Sequence, residues 1–266
     1  MGRRTIDDVM KELRKKSRSL QAAKPDEFAG KRFDCPMCKD ELGFIERRGD
    51  TEVWVACPCR ERRRAQRLLK SSEITEAFKT LSFEHFKTEG KHPSVQDAYD
   101  CALEYGQAYP EIRTSRRNSI ALLGRPGSGK THLLTAAANH LMQKLYVPVL
   151  YFPFVEGFND LKRDFALLED KLNRMKRVEV LFLDDLFKPA GGKPRATEWQ
   201  IEQTYAVVNY RYLNHKPILL SSELDIEEII AIDEALGTRL VEMCRDFLVI
   251  LKGNAFDINH RLEGML

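Results

Sequence analysis

No apolar run in this chain approaches the ~20 residues that a membrane-spanning helix needs. The N-terminus is basic but has no apolar segment behind it, so no secretory signal is read and a cytoplasmic setting is expected. Cysteine is scarce, at six residues, and in that setting thiols serve as metal ligands or small buried apolar groups rather than as disulfides. Net charge is nearly absent too: 43 lysines and arginines face 40 acids, a formal +3, so bulk charge selects no class of partner. Its distribution is more informative, because basic residues crowd Arg3 to Lys24 and Arg60 to Arg67. What is plentiful is apolar residues, 43% of 266, enough for a real core and for about two domains.

The densest local signal is Ile120-Ala-Leu-Leu-Gly-Arg-Pro-Gly-Ser-Gly-Lys-Thr131, which completes G-x-x-x-x-G-K-[ST] between an apolar run and a helix-compatible stretch, His132 to Gln143. Gly124, Gly127 and Gly129 let the backbone curl, with Arg125, Pro126 and Ser128 between them, so that several N–H groups converge on one anion. The following helix adds its positive end. Lys130 is then expected to reach the β- and γ-phosphates and the Thr131 hydroxyl to ligate Mg²⁺. These residues predict binding of a nucleoside triphosphate. Val178-Glu-Val-Leu-Phe-Leu-Asp-Asp185, about fifty residues on, is an apolar strand with two carboxylates at its tip. Asp184 is expected to hold Mg²⁺ through water and Asp185 to orient the attacking water. Asp185 is one methylene shorter than the glutamate common at that position, which predicts slow intrinsic turnover.

Further apolar runs at Val147 to Phe152, Lys216 to Ser222 and Phe247 to Lys252 bring the count to five strands, with a helix-like stretch at Thr197 to Asn214. Strands alternating with helices predict a doubly wound parallel sheet with the phosphate site at the strands' carboxyl ends. Strand order is not readable from the chain.

Cys35-Pro-Met-Cys38 and Cys57-Pro-Cys59 frame eighteen residues that include a turn at Gly49-Asp50 and the segment Glu52-Val-Trp-Val. This predicts a β-hairpin closed at its base by four thiolates, a donor set suited to structural Zn²⁺. An iron–sulfur cluster and a redox dithiol are the alternatives for the same thiols. Cys101 and Cys244 sit in apolar, helix-like surroundings and are read as core packing. Ahead of this module, Ile6, Val9, Met10, Leu13 and Leu20 recur at helical spacing after Thr5 and Asp8, an approximate capping box. That arm either folds back on the cysteine module or docks another protein. After it, Arg60 to Arg67 is a basic, helix-compatible run, either a solvated face or a contact for nucleic-acid phosphates. Thr80 to Tyr109 is expected to be mostly helical, with Pro110 as a boundary. The expected organisation is therefore an arm over 1–30, a zinc-binding module over 31–60, a basic helical connector over 61–110 and an ATPase domain over 111–266.

In this order the pieces resemble the AAA+ ATPase core of DnaC/DnaI-type replicative helicase loaders, including phage and mobile-element versions. Besides Gly124 to Thr131 and Leu181 to Asp185, the resemblance includes Ile218-Leu-Leu-Ser-Ser222-Glu as a sensor 1 strand carrying Ser-Ser-Glu where the family has a terminal Asn. It extends to Ala235-Leu-Gly-Thr-Arg239-Leu-Val-Glu-Met as an arginine-finger helix and to Asn259-His-Arg261 at the sensor 2 position. The resemblance implies that Ser222 monitors the γ-phosphate, that Arg239 reaches the ATP of a neighbouring subunit, and that Arg261 contacts nucleotide in cis. With fourteen residues after Lys252, a core without the C-terminal helical lid domain is expected. The implied function is ATP-dependent delivery of a DnaB-type hexameric helicase onto single-stranded DNA, with self-assembly into a ring or spiral and hydrolysis gated by assembly. The rival expectations are a transposition helper ATPase of the IstB kind, a zinc-hairpin DNA-binding regulator with ATP as an ordering ligand, and a small-molecule kinase, for which no acceptor-binding feature is seen.

Overall fold

The computed structural model describes residues 33–49, 51–161, 165–190 and 193–262. The expected helical arm lies outside these residues, as does Asp50 of the hairpin turn. The chain divides into two compact units, Met1–Arg60 and Glu61–Leu266. Among the described residues no helix is long and apolar enough to cross a membrane.

In the first unit, β1 (Gly43–Arg48) and β2 (Thr51–Ala56) pair antiparallel, with Gly43 opposite Ala56 and Arg48 opposite Thr51. Strand alternation sends Phe44 to the inner face, where it and Leu42 pack on the four buried cysteines. Ile45 and Trp54 oppose each other on the outer face and stay 57% and 55% exposed. The Trp54 ring lies across Gly43, where any Cβ would come within 2.1 Å of it. Among the described residues this core is four thiols and two apolar side chains, too small to fold unaided.

The second unit is built on five parallel strands: β3 (Ile120–Gly124), β4 (Val149–Pro153), β5 (Val180–Asp184), β8 (Ile218–Ser222) and β9 (Leu248–Leu251). They lie in the order β4-β5-β8-β3-β9. A separate short ribbon, β6 (Pro189–Ala190) with β7 (Lys193–Pro194), follows β5. Burial on both faces explains the continuous apolar runs. Ile120, Leu122, Phe182 and Leu219 point to one core, shared with α3 (Pro93–Ile112) and α4 (Lys130–Lys144). Ala121, Leu123, Leu181 and Leu220 point to the other. That second core takes side chains from α5 (Phe154–Leu161), α6 (Phe165–Arg177), α7 (Glu198–Leu213), α8 (Ile226–Ile232) and α9 (Glu234–Met243). The expected doubly wound α/β architecture is therefore present. Arg211 on α7 is fully buried and donates to the carbonyls of Met175, Lys176, Val178, Glu179 and Pro217, so its charge is spread over backbone acceptors at the roots of β5 and β8. Cys244 is buried in the second core and Cys101 packs at the edge of the first, as read from their surroundings.

One expectation for the connector is corrected. Pro110 is no boundary: it lies inside α3, whose stripe Val95, Ala98, Ala102, Tyr105 and Tyr109 is buried in the same core as the phosphate-loop helix. Thr80 to Tyr109 is mostly helical, as expected, with the helix beginning at Pro93. After α1 (Cys59–Ser71) and the single turn α2 (Glu76–Lys79), the chain makes only a 3₁₀ turn at Phe83–His85 before α3. Pro93 requires a helix start there, and His92 caps it through Ser94 N–H. The non-helical segment is tied to α4 instead: Asn139 Nδ2 donates to the Phe78 and Leu81 carbonyls at 2.9 and 2.8 Å.

Candidate nucleotide site and cysteine centre

β3 delivers the chain to Gly124 (φ +108°), where a Cβ would stand 2.4 Å from the Leu251 carbonyl oxygen of β9. The loop closes at Gly129 (φ +90°), the N-cap of α4, where a Cβ would meet the Phe86 ring at 2.4 Å. Left-handed backbone and close neighbours at both points require glycine. Ser128 Oγ donates to the Arg125 carbonyl at 2.8 Å and stiffens the loop, while Arg125 and Pro126 are exposed at its crest. Lys130 is only 5% exposed, and its Nζ donates to the carbonyls of Gly124 and Arg125 at 2.7 and 2.8 Å. Burial pulls this ammonium down to about 8, against the opposing charges of Asp185, Glu223 and Asp184.

Asp184 ends β5 and is also buried. Its Oδ1 accepts from Thr131 Oγ1 at 2.9 Å and Ser221 Oγ at 2.5 Å, and its Oδ2 from Tyr151 OH at 2.9 Å. Burial raises its pKa while the three donors work the other way. A hydroxyl and a carboxylate converging beside a phosphate loop fit a Mg²⁺ site of hard oxygen donors. The next residue, Asp185, takes left-handed backbone (φ +57°), its N–H donates to Ser221 Oγ at 2.8 Å, and its carboxylate is paired with Lys188.

Ser222, expected to monitor phosphate, is turned elsewhere. Its Oγ donates to the Leu186 carbonyl at 2.7 Å and accepts from Leu224 N–H at 3.1 Å, with no exposure. Consecutive strand residues point to opposite faces, so Ser221 is the serine that reaches the carboxylates. The residue after them, Glu223, lines the pocket.

These groups border a cleft of about 840 Å³. Lys130, Thr131, Asp184, Asp185, Lys188 and Glu223 form its polar wall, and Arg261 also lines it. Phe78, His85 and Phe86 form a second, aromatic wall. Phe86 is wedged beside the loop, 5.2 Å from the His132 ring and 4.9 Å from His260, and stacked on Tyr99. Arg239 is not at this cleft. Its Nε donates to Asn209 Oδ1 at 3.0 Å and Nη1 to the Ala235 carbonyl at 2.6 Å, and the guanidinium lies over Tyr205 and Tyr212, 5.3 and 5.5 Å from their centroids. The acids close to it in sequence are engaged by others: Glu242 by Arg116 and Tyr212, Asp246 by Arg117.

Tyr151, Ser221, Lys188, Glu223 and Phe86 escaped sequence reasoning. Tyr151 and Phe86 sit in segments that read as apolar and carry no motif. Glu223 was visible as the residue closing Ser-Ser-Glu, but its place in the cleft lining depends on strand register. Lys188 needed the turn after Asp185.

In the first unit the Sγ atoms of Cys35, Cys38, Cys57 and Cys59 all lie within 4.8 Å of one another and are buried. Cys35 and Cys57 sulfurs are 3.7 Å apart and those of Cys38 and Cys59 are 3.4 Å apart, far beyond a disulfide bond. Thiolates at ~2.3 Å from a tetrahedral zinc stand about 3.8 Å apart, so the set has the right size for that ion. Asp40 Oδ1 accepts the Cys35 N–H at 2.9 Å, and the Cys57 N–H donates to the Leu42 carbonyl at 2.9 Å, fixing both halves of the centre. Donation from the Cys38 backbone N–H holds the Cys35 thiol down to about 6, favouring a thiolate.

A family model described as IstB-like ATP binding protein matches residues 56–263. Phage-like element PBSX protein XkdC of Bacillus subtilis (strain 168) is 62% identical over 265 residues, covering 100% of both chains. The replicative helicase loader DnaI of the same organism is 28% identical over 183 residues, which is 66% of this chain and 56% of that protein. A crystal structure of DnaI has a TM-score of 0.54 at 22% identity, covering 68% of this chain and 93% of that one, a likeness of fold.

Proposed function

From a chain that belongs to the family of IstB-like ATP binding proteins and is an AAA+ ATPase related to DnaI, we propose an ATP-dependent loader that places a DnaB-type hexameric helicase on single-stranded DNA. The observation that carries this reading is a phosphate cleft whose cis parts are assembled, combined with an Arg239 held on another face by tyrosines. An ATPase built this way hydrolyses when a neighbour's arginine reaches its cleft, which ties bond cleavage to assembly in a ring or spiral. The 62% identity to a phage-element protein supports a phage or mobile-element setting.

In this reading the loop N–H groups and Lys130 bind the phosphates. Thr131 and Asp184 hold Mg²⁺, with Asp184 oriented by Ser221 and Tyr151, and Arg261 closes the cleft. The aromatic wall at Phe86 takes the base. Mg²⁺ held by Thr131 and Asp184 would supply positive charge to offset that of the phosphates. The four cysteines hold Zn²⁺ as the clasp of a module that, with the arm over 1–30, grips the helicase. On α1, Arg63, Arg67 and Lys70 fall on one helical face, away from the buried Ala65 and the packed Leu68 and Leu69, and give phosphates of the strand a cationic track, while Arg64 lies over the Tyr146 ring.

Mixing the protein with candidate hexameric helicases, with and without ATP and single-stranded DNA, should yield a complex of defined mass and stoichiometry. A protein that stays monomeric with all three present rejects the loader. Because the family is named for IstB, a transposition helper is the second reading. It predicts preference for duplex over single-stranded DNA in competition at matched salt.

One pH dependence follows from Lys130. The phosphates require its ammonium form, and in the free protein burial holds that pKa at about 8. Raising the pH through 8 deprotonates the lysine, so ATP affinity should fall about tenfold per pH unit once above it. Titrations of ATP affinity between pH 7 and 10 check this; a flat profile to pH 9.5 contradicts it.

A further inference from the structure

Lys188 and Glu223 line the phosphate cleft and have no part in the scheme above. Glu223 makes that wall difficult for a triphosphate, because Asp184 and Asp185 already bring two carboxylates to it and a third adds repulsion where the terminal phosphate must lie. One side chain offsets this. Lys188 Nζ stands 2.5 Å from Asp185 Oδ2 and 3.6 Å from Glu223 Oε1, so a single ammonium bridges the tips of β5 and β8. The turn that presents it is closely specified. Asp185 and Phe187 both take left-handed backbone, at φ +57° and +52°, the Phe187 ring is fully buried, and the Lys188 N–H donates back to the Asp185 carbonyl at 3.2 Å. Leu186 N–H donates to the Ser221 carbonyl at 2.9 Å, locking the turn to the strand that carries Glu223. Non-glycine residues in that conformation persist only where the surroundings hold them. The Lys188 side chain is 43% exposed, which leaves it room to follow a ligand.

We propose that Lys188, aligned by Asp185 and Glu223, is a second phosphate-binding cation of this ATPase, set at the β5–β8 tips on the same polar wall as Lys130, so that it reads the terminal phosphate and separates ATP from ADP. This deepens the reading of the cleft as an ATP site. The loop N–H groups grip phosphates common to both nucleotides and Lys130 spans the β- and γ-phosphates, whereas Lys188 at the β5–β8 tips, beside the Thr131–Asp184 pair, meets a γ-phosphate only. Glu223 has a defined part: it helps hold the ammonium in place, and without that ammonium it repels the phosphate.

The test is a cycle on the full chain, measuring Mg·ATP and Mg·ADP affinities by calorimetry for wild type, Lys188→Met, Glu223→Gln and the double variant. Loss of a charge-assisted contact should weaken ATP about 10- to 100-fold in Lys188→Met and ADP by less than about threefold. Glu223→Gln in the Lys188→Met background should recover most of that loss, since the repelling carboxylate becomes an amide that can donate. Glu223→Gln alone should bind ATP as well as wild type or better. Equal weakening of ATP and ADP in Lys188→Met, no recovery in the double variant, or selective loss of ATP in Glu223→Gln each overturns the proposal. Should Lys188→Met not fold, Glu223→Gln and Lys188→Arg, which keeps the charge and should keep the ATP-to-ADP ratio within about threefold, decide it. Wild type binding neither nucleotide would instead reject the ATP site itself.

Discussion

Arg239→Ala is expected to remove about 10³- to 10⁵-fold of assembly-stimulated ATP hydrolysis while leaving ATP affinity within about threefold of wild type. The split follows from position. Arg239 lies off its own cleft, so it adds nothing to phosphate binding within one chain. Asn209 and two tyrosine faces hold its guanidinium in one direction, and in the proposed reading that direction serves a neighbouring subunit. A purely structural arginine would give another pattern. Each cation–π contact is worth roughly 0.5–1 kcal/mol at such exposure, so its loss would lower the melting temperature and spare turnover per folded molecule. Arg239→Lys should rescue little, because an ammonium cannot reproduce the planar fork. The decisive measurement is steady-state hydrolysis of the assembled protein beside ATP affinity and thermal melting. Parallel loss of binding and hydrolysis sinks the trans assignment.

Removing the metal from the cysteine centre should have the second large effect. Structural zinc contributes ~10–16 kcal/mol in comparably small modules, far more than Leu42 and Phe44 can supply by packing. Chelation, or Cys57→Ser, should therefore unfold the hairpin over residues 33–60, seen as protease cleavage within it and a changed Trp54 emission against Trp199 as the other tryptophan. ATP affinity should stay within about twofold, since the cleft belongs wholly to the unit that begins at Glu61. Purified protein without stoichiometric zinc, or a hairpin indifferent to chelation, would overturn the assignment.

The parts that could be read early are those whose chemistry is local. The phosphate loop lists its glycines, lysine and threonine within eight residues, and the helix that receives it starts where its own residues say. The paired cysteines announce a thiolate centre because only the hairpin between them had to close. Strands buried on both faces reveal themselves as apolar runs such as Ile120 to Leu123 and Leu181 to Leu183. Failures came where a reading turned on one residue of register or on a neighbour far along the chain. Ser222, expected at the phosphates, turns its hydroxyl to the Leu186 carbonyl while Ser221 reaches Asp184, because alternation along a strand makes adjacent serines point apart. Pro110 looked like a boundary, yet it sits late in α3, whose buried stripe commits that helix to the core.

The amino-acid order alone made legible which chemistry the chain offers: a loop for phosphates, acids at the tip of β5 and a four-thiol centre, each carried by residues close in sequence or joined across one hairpin. The fold alone settled which groups share that chemistry. Placing β8 between β3 and β5 brings Ser221 to Asp184 and Glu223 to Lys188, and packing the segment before α3 on α4 lays Phe86 beside Gly129. Side-chain identity is written in one dimension, whereas proximity between strands remote in sequence is created only by the sheet's order and register.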